Sequence, residues 1–173
     1  MQKINVVGIV SGHVNSLRGE DGKLLLLDIV TFYLFPIIAG GLSFLLCISI
    51  PKDAVGLSVT VFSIFAALLL SVQVALYSVS LRPLTPPPDQ KKKAVFERTL
   101  KERSSLIREL NDNISYLILL SVTFVTVLLV TYVVSPGGLI ASSISIAVYV
   151  HFFLTILMVV KRASIVFSRE YEN

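Results

Sequence analysis

The chain is 173 residues long, 54% of them hydrophobic and 15% charged, and its mean hydropathy is +0.82. A water-soluble domain carries about 25% charged residues, so this composition excludes an ordinary soluble domain and indicates an integral membrane protein. The net charge of +4 does not indicate nucleic-acid binding, because the chain has no basic motif interleaved with aromatic residues.

Four uncharged apolar stretches divide the chain: Ile29–Ile50, Ala54–Leu81, Ile114–Val134 and Ser135–Val160. Since about 20 apolar residues in a helix cross the hydrocarbon layer, we predict an all-α integral membrane protein with four transmembrane helices. Their short connections pair them as two hairpins, over residues 24–80 and 114–160.

The N-terminal segment, residues 1–23, is predicted to be cytoplasmic or interfacial. Four apolar residues recur in it at helical spacing: Val6, Val10, Val14 and Leu17. This spacing predicts a short helix lying on the inner membrane surface. The GEDGK stretch at 19–23 is typical of a turn leading into the first span.

The first span contains an acidic residue and a helix-breaking group. Asp28 lies near its cytoplasmic end, where it either meets Lys23 or Arg162 or lines a pore mouth or partner contact. Pro36 is a candidate kink because it removes one backbone hydrogen bond. Gly40 and Gly41 allow close helix packing. The three residues form either a packing kink or a bend that opens and closes.

The second span carries small residues at four-residue spacing: Ser63, Ala67, Ser71 and Ala75. Such a stripe lets another helix pack closely. Gln73 is the one amide in this span; it is either an interhelical hydrogen-bonding group or part of a polar path.

The central segment, residues 81–113, holds eight of the fifteen Lys and Arg residues. Its prolines between 82 and 88 predict a stiff connector, and Asp89 is a candidate helix cap. From there we predict one continuous helix, about Gln90–Val134, whose first part is a cytoplasmic extension of the third span. Candidate seam residues follow at three- and four-residue spacing: Phe96, Leu100, Arg103, Ile107 and Leu110.

This seam has three interpretations: it covers the membrane surface, joins copies of the chain, or docks a soluble partner. We favour the last two, because a four-span bundle offers no internal surface at that level to bury these residues.

The fourth span carries Ser143, Ala147, His151 and Thr155 on one face. His151 is the one ionisable side chain deep in a span, so it is a candidate for a proton or ion pathway; the alternative is an interhelical hydrogen bond. His13 and His151 are expected at opposite depths, unable to share a metal. The turn at 135–138 forms the second outer hairpin, and residues 161–173 form a cytoplasmic tail.

Charge placement predicts the orientation. With both termini and the central segment in the cytoplasm, fourteen of the fifteen Lys and Arg residues are inside and only Lys52 is outside, as the positive-inside rule requires. We therefore expect a multi-pass protein of the cell (inner) membrane.

No hydrolase, metalloprotease, redox, P-loop or Rossmann motif is present, so we expect no enzyme activity, cofactor or metal. Two functions remain. The first is an oligomeric membrane scaffold or sensor subunit that docks a cytoplasmic protein. The second is a pore-forming or membrane-perturbing effector lined by Asp28, Gln73 and His151. A transporter is the weakest reading, because the two halves are not inverted repeats.

The polar N-terminal segment, the DIVTFYLFP run at 28–36 and the basic helix between two hairpins resemble a known group. It comprises the small four-span inner-membrane subunits of bacterial phage-defence operons, such as the Kiwa-type membrane subunit. The resemblance covers the layout of the chain. It implies an oligomeric assembly bound to a cytoplasmic effector in antiviral defence, and it carries over no catalytic residue.

Overall fold

The computed structural model describes residues 6–18, 26–82, 86, 88, 90–134 and 138–171, with the side chains of 90, 91 and 169–171 excepted. The expected turn at 19–23, most of the proline connector, the Asp89 cap, and the second outer turn at 135–137 lie outside these residues, as does Lys23.

Every element in the described part of the chain is a helix: α1 Val7–Ser16, α2 Leu26–Ile29, a π turn Val30–Leu34, α3 Phe35–Leu45, α4 Lys52–Ser80, α5 Gln90–Val134 and α6 Leu139–Tyr171. Four stretches are long and apolar enough to cross a membrane: Leu26–Leu45, Lys52–Ser80, Lys92–Val134 and Leu139–Ser168. The predicted all-α class with four candidate membrane spans is confirmed.

The break in the first span is a π turn rather than a simple proline kink. Pro36 lies in the first turn of α3, and immediately before it the backbone widens so that the Phe35 N–H bonds the Val30 carbonyl, five residues back. Because proline has no N–H, the carbonyl of Phe32, four residues earlier, lacks its α-helical donor.

The first span ends at a left-handed cap. Cys47 has a φ of 53°, and the following Ile48 N–H bonds the Ser43 carbonyl at 3.0 Å. This is the hydrogen-bond pattern of a Schellman motif, where glycine is the preferred residue. Cys47 is exposed, so Cys47→Gly provides a cysteine-free background compatible with the backbone.

The four long helices pack in the order α3, α6, α5, α4. α3 packs against α6, α6 against α5 and α5 against α4, while the described residues of α3 and α4 make no close backbone approach. The short α1 packs across α5. The two span helices of the first half, α3 and α4, are therefore connected through α6 and α5 of the second half.

Two kinds of contact hold this arrangement. Phe62 of α4 packs its ring against Phe124 of α5 and Phe152 of α6, with centroids 4.9 and 4.6 Å apart. α3 approaches α6 at Gly40, where an added Cβ would lie 2.8 Å from the Ser143 carbonyl oxygen. The expected glycine contact is thus made by Gly40, while Gly41 faces open space.

Candidate functional site: a buried two-histidine cluster

The most concentrated polar contacts lie where α1, the π turn, α5 and α6 meet. We call this group, formed by His13, Asn113, Tyr116 and His151, the two-histidine cluster. The His13 ring stacks on the Tyr116 ring with centroids 3.9 Å apart, and lies 6.1 Å from the His151 ring. The expectation that the two histidines occupy opposite depths was wrong.

The error arises because the apolar spacing in α1 says nothing about the contacts of its polar residues. Val6 and Val10 are 40% and 41% exposed, as side chains that face a membrane surface would be. His13 and Ser16, in contrast, are buried. α1 packs through its polar face because α5 supplies hydrogen-bond partners for it.

Asn113 is the centre of these partners. Its Nδ2 donates to the Glu109 carbonyl at 2.8 Å, which sets the amide orientation, and its Oδ1 lies 2.7 Å from His13 Nδ1. The Ser16 hydroxyl is 2.9 Å from the same oxygen. Because an amide oxygen only accepts, His13 carries a proton on Nδ1 in this contact.

The other nitrogen of His13 has a different environment. His13 Nε2 is buried and has no hydrogen-bond partner among the described residues. A proton there would be a buried, unpaired donor on a charged ring. Burial lowers the pKa of His13 to about 4. The Asn113 hydrogen bond acts against this shift, whereas the Arg162 charge, and His151 when it is protonated, act with it. His13 is therefore neutral at pH 7.

This lowered pKa predicts a pH dependence of α1 attachment. Released α1 would bind a proton at the ordinary pKa of about 6.5, whereas docked α1 resists protonation down to about pH 4. Attachment should therefore be strongest above pH 6.5 and weaken as the pH falls toward 4. The measurement is the rate of thiol labelling of a Leu17→Cys, Cys47→Gly protein, divided at each pH by the rate for the same protein unfolded in detergent. This ratio should rise as the pH falls from about 6.5 toward 4.

His13→Gln is the control for that measurement, because it removes the titrating group while Glu109, Asp112, His151 and Arg162 remain. The pH step should disappear in this variant. A step of equal size in both proteins would assign it to one of those other groups.

His151 joins α6 to the π turn and to α5. Its Nδ1 donates to the Phe32 carbonyl at 2.7 Å, and its Nε2 lies 2.8 Å from the Tyr116 hydroxyl, which donates to the neutral ring. The Phe32 carbonyl is the one that Pro36 deprives of its α-helical donor. His151 thus replaces the N–H that the proline lacks, and the candidate kink and the candidate intramembrane residue form one unit.

Arg162 closes the site at the end of α1. Its guanidinium donates to the carbonyl of Ser16, the last residue of α1, at 2.6 Å, and lies 3.4 Å from a Glu109 carboxylate oxygen. A cation at this helix end is favourable because the helix dipole is negative there. Arg162 was one expected partner of Asp28. Asp28 instead lies half-buried in α2, and no described residue hydrogen-bonds to it or pairs with it.

Gln73, a residue of α4, contacts a different face of α5. Its Nε2 donates to Asn111 Oδ1 at 3.0 Å and to the Ser115 hydroxyl at 2.9 Å. At about 100° per residue, the faces of α5 that carry these two partners and the two-histidine cluster point about 150° apart. Gln73 and His151 therefore do not line one path within a single chain.

The candidate seam on α5 divides into two parts. Ile107 and Leu110 are 9% and 1% exposed, inside the chain's own core, and Arg103 donates to the Val79 carbonyl at 2.7 Å. These two apolar residues are therefore removed from any partner surface. The physical reason is that α4, α1 and the long α6 pack beside α5 at this level. Phe96 is half-buried and Leu100 is 42% exposed.

Comparison with protein-family models, curated proteins and solved structures found no match. The resemblance to phage-defence membrane subunits therefore rests on sequence layout. In the described part of the chain, no three His, Cys, Asp or Glu side chains gather in a geometry that could hold a metal ion.

Proposed function

We propose that this chain is a non-enzymatic scaffold or sensor subunit of the cell inner membrane, which forms homo-oligomers and presents the first part of α5 to a cytoplasmic protein. One observation carries the proposal. α5 is unbroken from the charged segment into the third span, and its Arg103 side chain hydrogen-bonds the Val79 carbonyl at the end of α4. Residues 90–102 extend about 20 Å beyond that contact at about 1.5 Å per residue.

The surface of this projecting part suits a protein partner. Leu100 is 42% exposed and follows the half-buried Phe96 by four residues, so the two lie on one face of α5, among lysine, arginine and glutamate side chains. Apolar residues on one helix, surrounded by charges, are the usual anchors of helix-mediated recognition. The layout shared with phage-defence subunits makes a defence effector the first partner class to test.

The proposed orientation puts both termini and the projecting part of α5 in the cytoplasm, with the spans entering as two hairpins from that side. Lys52, at the start of α4, lies 4.6 Å from the Tyr132 ring centroid near the end of α5. In the proposed orientation these two residues mark the outer end of the molecule. Lys52 is then the single Lys or Arg residue on the outside, in agreement with the positive-inside rule.

Oligomerisation is supported by the lipid-facing surface. Only 17% to 28% of the most apolar stretch of each span is buried inside the chain. On α4 the small-residue stripe is exposed along its whole length: Ser63, Ala67, Ser71 and Ala75. Small residues allow close helix contact in membranes, so this face suits a second copy.

The sensing element in this proposal is α1. It is a separate helix attached by a few buried polar contacts at the junction between the spans and the projecting part of α5. Such contacts form a two-state attachment that a bound partner or ligand can bias. The pore alternative has less support, because α5 separates Gln73 from His151.

Co-purification tests the proposal. The full chain, expressed in its native host and isolated in mild detergent, should retain a soluble protein in a fixed ratio. Phe96→Asp, on the projecting part of α5, should lose that protein. Ser105→Asp adds the same charge about 180° around the helix, and should keep it. If no variant retains a soluble protein, and expression of the chain collapses the membrane potential, the pore alternative replaces this proposal.

A further inference from the structure

A groove of about 650 Å³ runs between the end of α4 and the first half of α5. Its residues are close in sequence to those of the two-histidine cluster, but the groove opens on a different side of α5, the side that faces α4. Tyr77 and Ser80 line it from α4, and Lys101, Arg103, Ser104 and Arg108 line it from α5. Leu100 also lines the groove and is shared with the proposed partner surface, whereas Phe96 lies outside the groove.

The charge of the groove has one sign. Three of its lining residues are cationic and none is acidic. Lys101, Ser104 and Arg108 follow at three- and four-residue spacing, which puts them on one face of α5. Guanidinium, ammonium and hydroxyl groups on one face are the donors that bind phosphate groups.

Arg103 is held in place on the groove wall. Its guanidinium donates to the Val79 carbonyl at 2.7 Å, at the end of α4 where backbone carbonyls lack helical partners. A positioned cation loses little freedom when an anion binds beside it. Lys101 and Arg108 are exposed and reach the same groove from the adjacent turns.

Apart from Asn111, the rest of the lining is apolar and lies near the end of a span. Leu76 and Ile107, both buried, form part of the lining. Tyr77 is 65% exposed at the level where aromatic side chains mark the membrane–water interface, and Val74, 67% exposed, lies one turn further into the span. An occupant that matches both parts has an anionic head and an apolar tail.

We propose that this groove binds one anionic phospholipid, with Lys101 and Arg108 on its phosphate and an acyl chain lying along α4 at Val74 and Tyr77. The proposal rests on the membrane orientation given above, but not on the cytoplasmic protein partner. A free phosphate compound would use the cations and leave the apolar lining and the exposed face of α4 unused, so the structure favours a lipid source.

Native mass spectrometry of the full chain tests this. Protein taken from bilayers of phosphatidylcholine with phosphatidylglycerol should retain about one phosphatidylglycerol per chain, and little phosphatidylcholine. Lys101→Gln or Arg108→Gln should each weaken retention about fivefold, the usual effect of one basic residue near an anionic lipid surface. Both residues are exposed, so neither change should alter the fold.

The matched control is Lys92→Gln with Lys93→Gln, which removes two exposed cations of α5 outside the groove and should leave retention unchanged. Phe96→Asp should also leave it unchanged, which separates this proposal from the partner contact. Equal losses in the control and groove variants, equal retention of phosphatidylcholine, or displacement of the lipid by millimolar inorganic phosphate would each overturn the assignment.

Discussion

Asn113→Leu should release α1 from the bundle while the four spans remain packed. Asn113 is fully buried, and its side-chain oxygen accepts from His13 and Ser16. Leucine fills a similar volume but leaves the His13 Nδ1–H unpaired, at a cost of about 1–3 kcal/mol for a buried group, while the Ser16 hydroxyl keeps the His13 carbonyl as an acceptor at 2.7 Å. α1 has ten residues and is too short to be a stable helix alone, so the release should be accompanied by unfolding.

Thiol labelling measures this release. Leu17, at the end of α1, is 1% exposed, so a Leu17→Cys, Cys47→Gly protein should react slowly and Asn113→Leu should speed its labelling by tenfold or more. Asn111→Leu is the matched control, since Asn111 bonds Gln73 on another face of α5. Equal labelling in all three proteins would show that Asn113 does not hold α1.

Gly40→Ala should destabilise the protein, whereas Gly41→Ala should not. A Cβ at Gly40 would lie 2.8 Å from the Ser143 carbonyl oxygen and 3.0 Å from the Ala147 Cβ, so α3 and α6 would have to separate. Overpacking of this kind costs about 1–3 kcal/mol. At Gly41 an added Cβ meets nothing within 4 Å, and alanine gains up to about 1 kcal/mol in helix propensity.

Unfolding of the purified protein in mixed detergent, followed by circular dichroism, gives the two midpoints. Gly40→Ala should lower the midpoint and Gly41→Ala should leave it unchanged or raise it. If Gly40→Ala is as stable as the parent protein, the close contact between α3 and α6 is not part of the native structure.

The helices could be predicted from the sequence because their causes are local. Hydropathy over about 20 residues gives the four spans, and the absence of proline or glycine between Gln90 and Val134 gives the full length of α5. The bounds predicted for that helix are those of the structure.

Contacts between helices could not be predicted in the same way. Two adjacent glycines look equivalent in the sequence, and only the position of Ser143 distinguishes Gly40 from Gly41. The length of α6 beyond its span, to Tyr171, helps to bury residues of the seam that appeared to have no neighbours.

The two-histidine cluster was missed because each member had an ordinary explanation when read alone. Tyr116 stands at the start of the third span, where an aromatic side chain is usual at the membrane interface, and Asn113 is one of several polar residues that end the charged segment. One signal was present. Asn113 and Tyr116 are three residues apart at the start of the third span and so share a face of α5. Tyr116 is also the residue of this span that hydrogen-bonds His151. Pairing His13 with that face required the tertiary structure, since 100 residues separate it from Asn113.

Accessibility of single cysteines to an impermeant thiol reagent tests the proposed orientation most directly. In the Cys47→Gly background, Lys52→Cys should be labelled on intact cells, whereas Leu100→Cys should be labelled only after the cells are opened. If Leu100→Cys reacts from outside intact cells, the projecting part of α5 does not face the cytoplasm. In that case neither a cytoplasmic protein nor a phospholipid of the inner leaflet could bind as proposed.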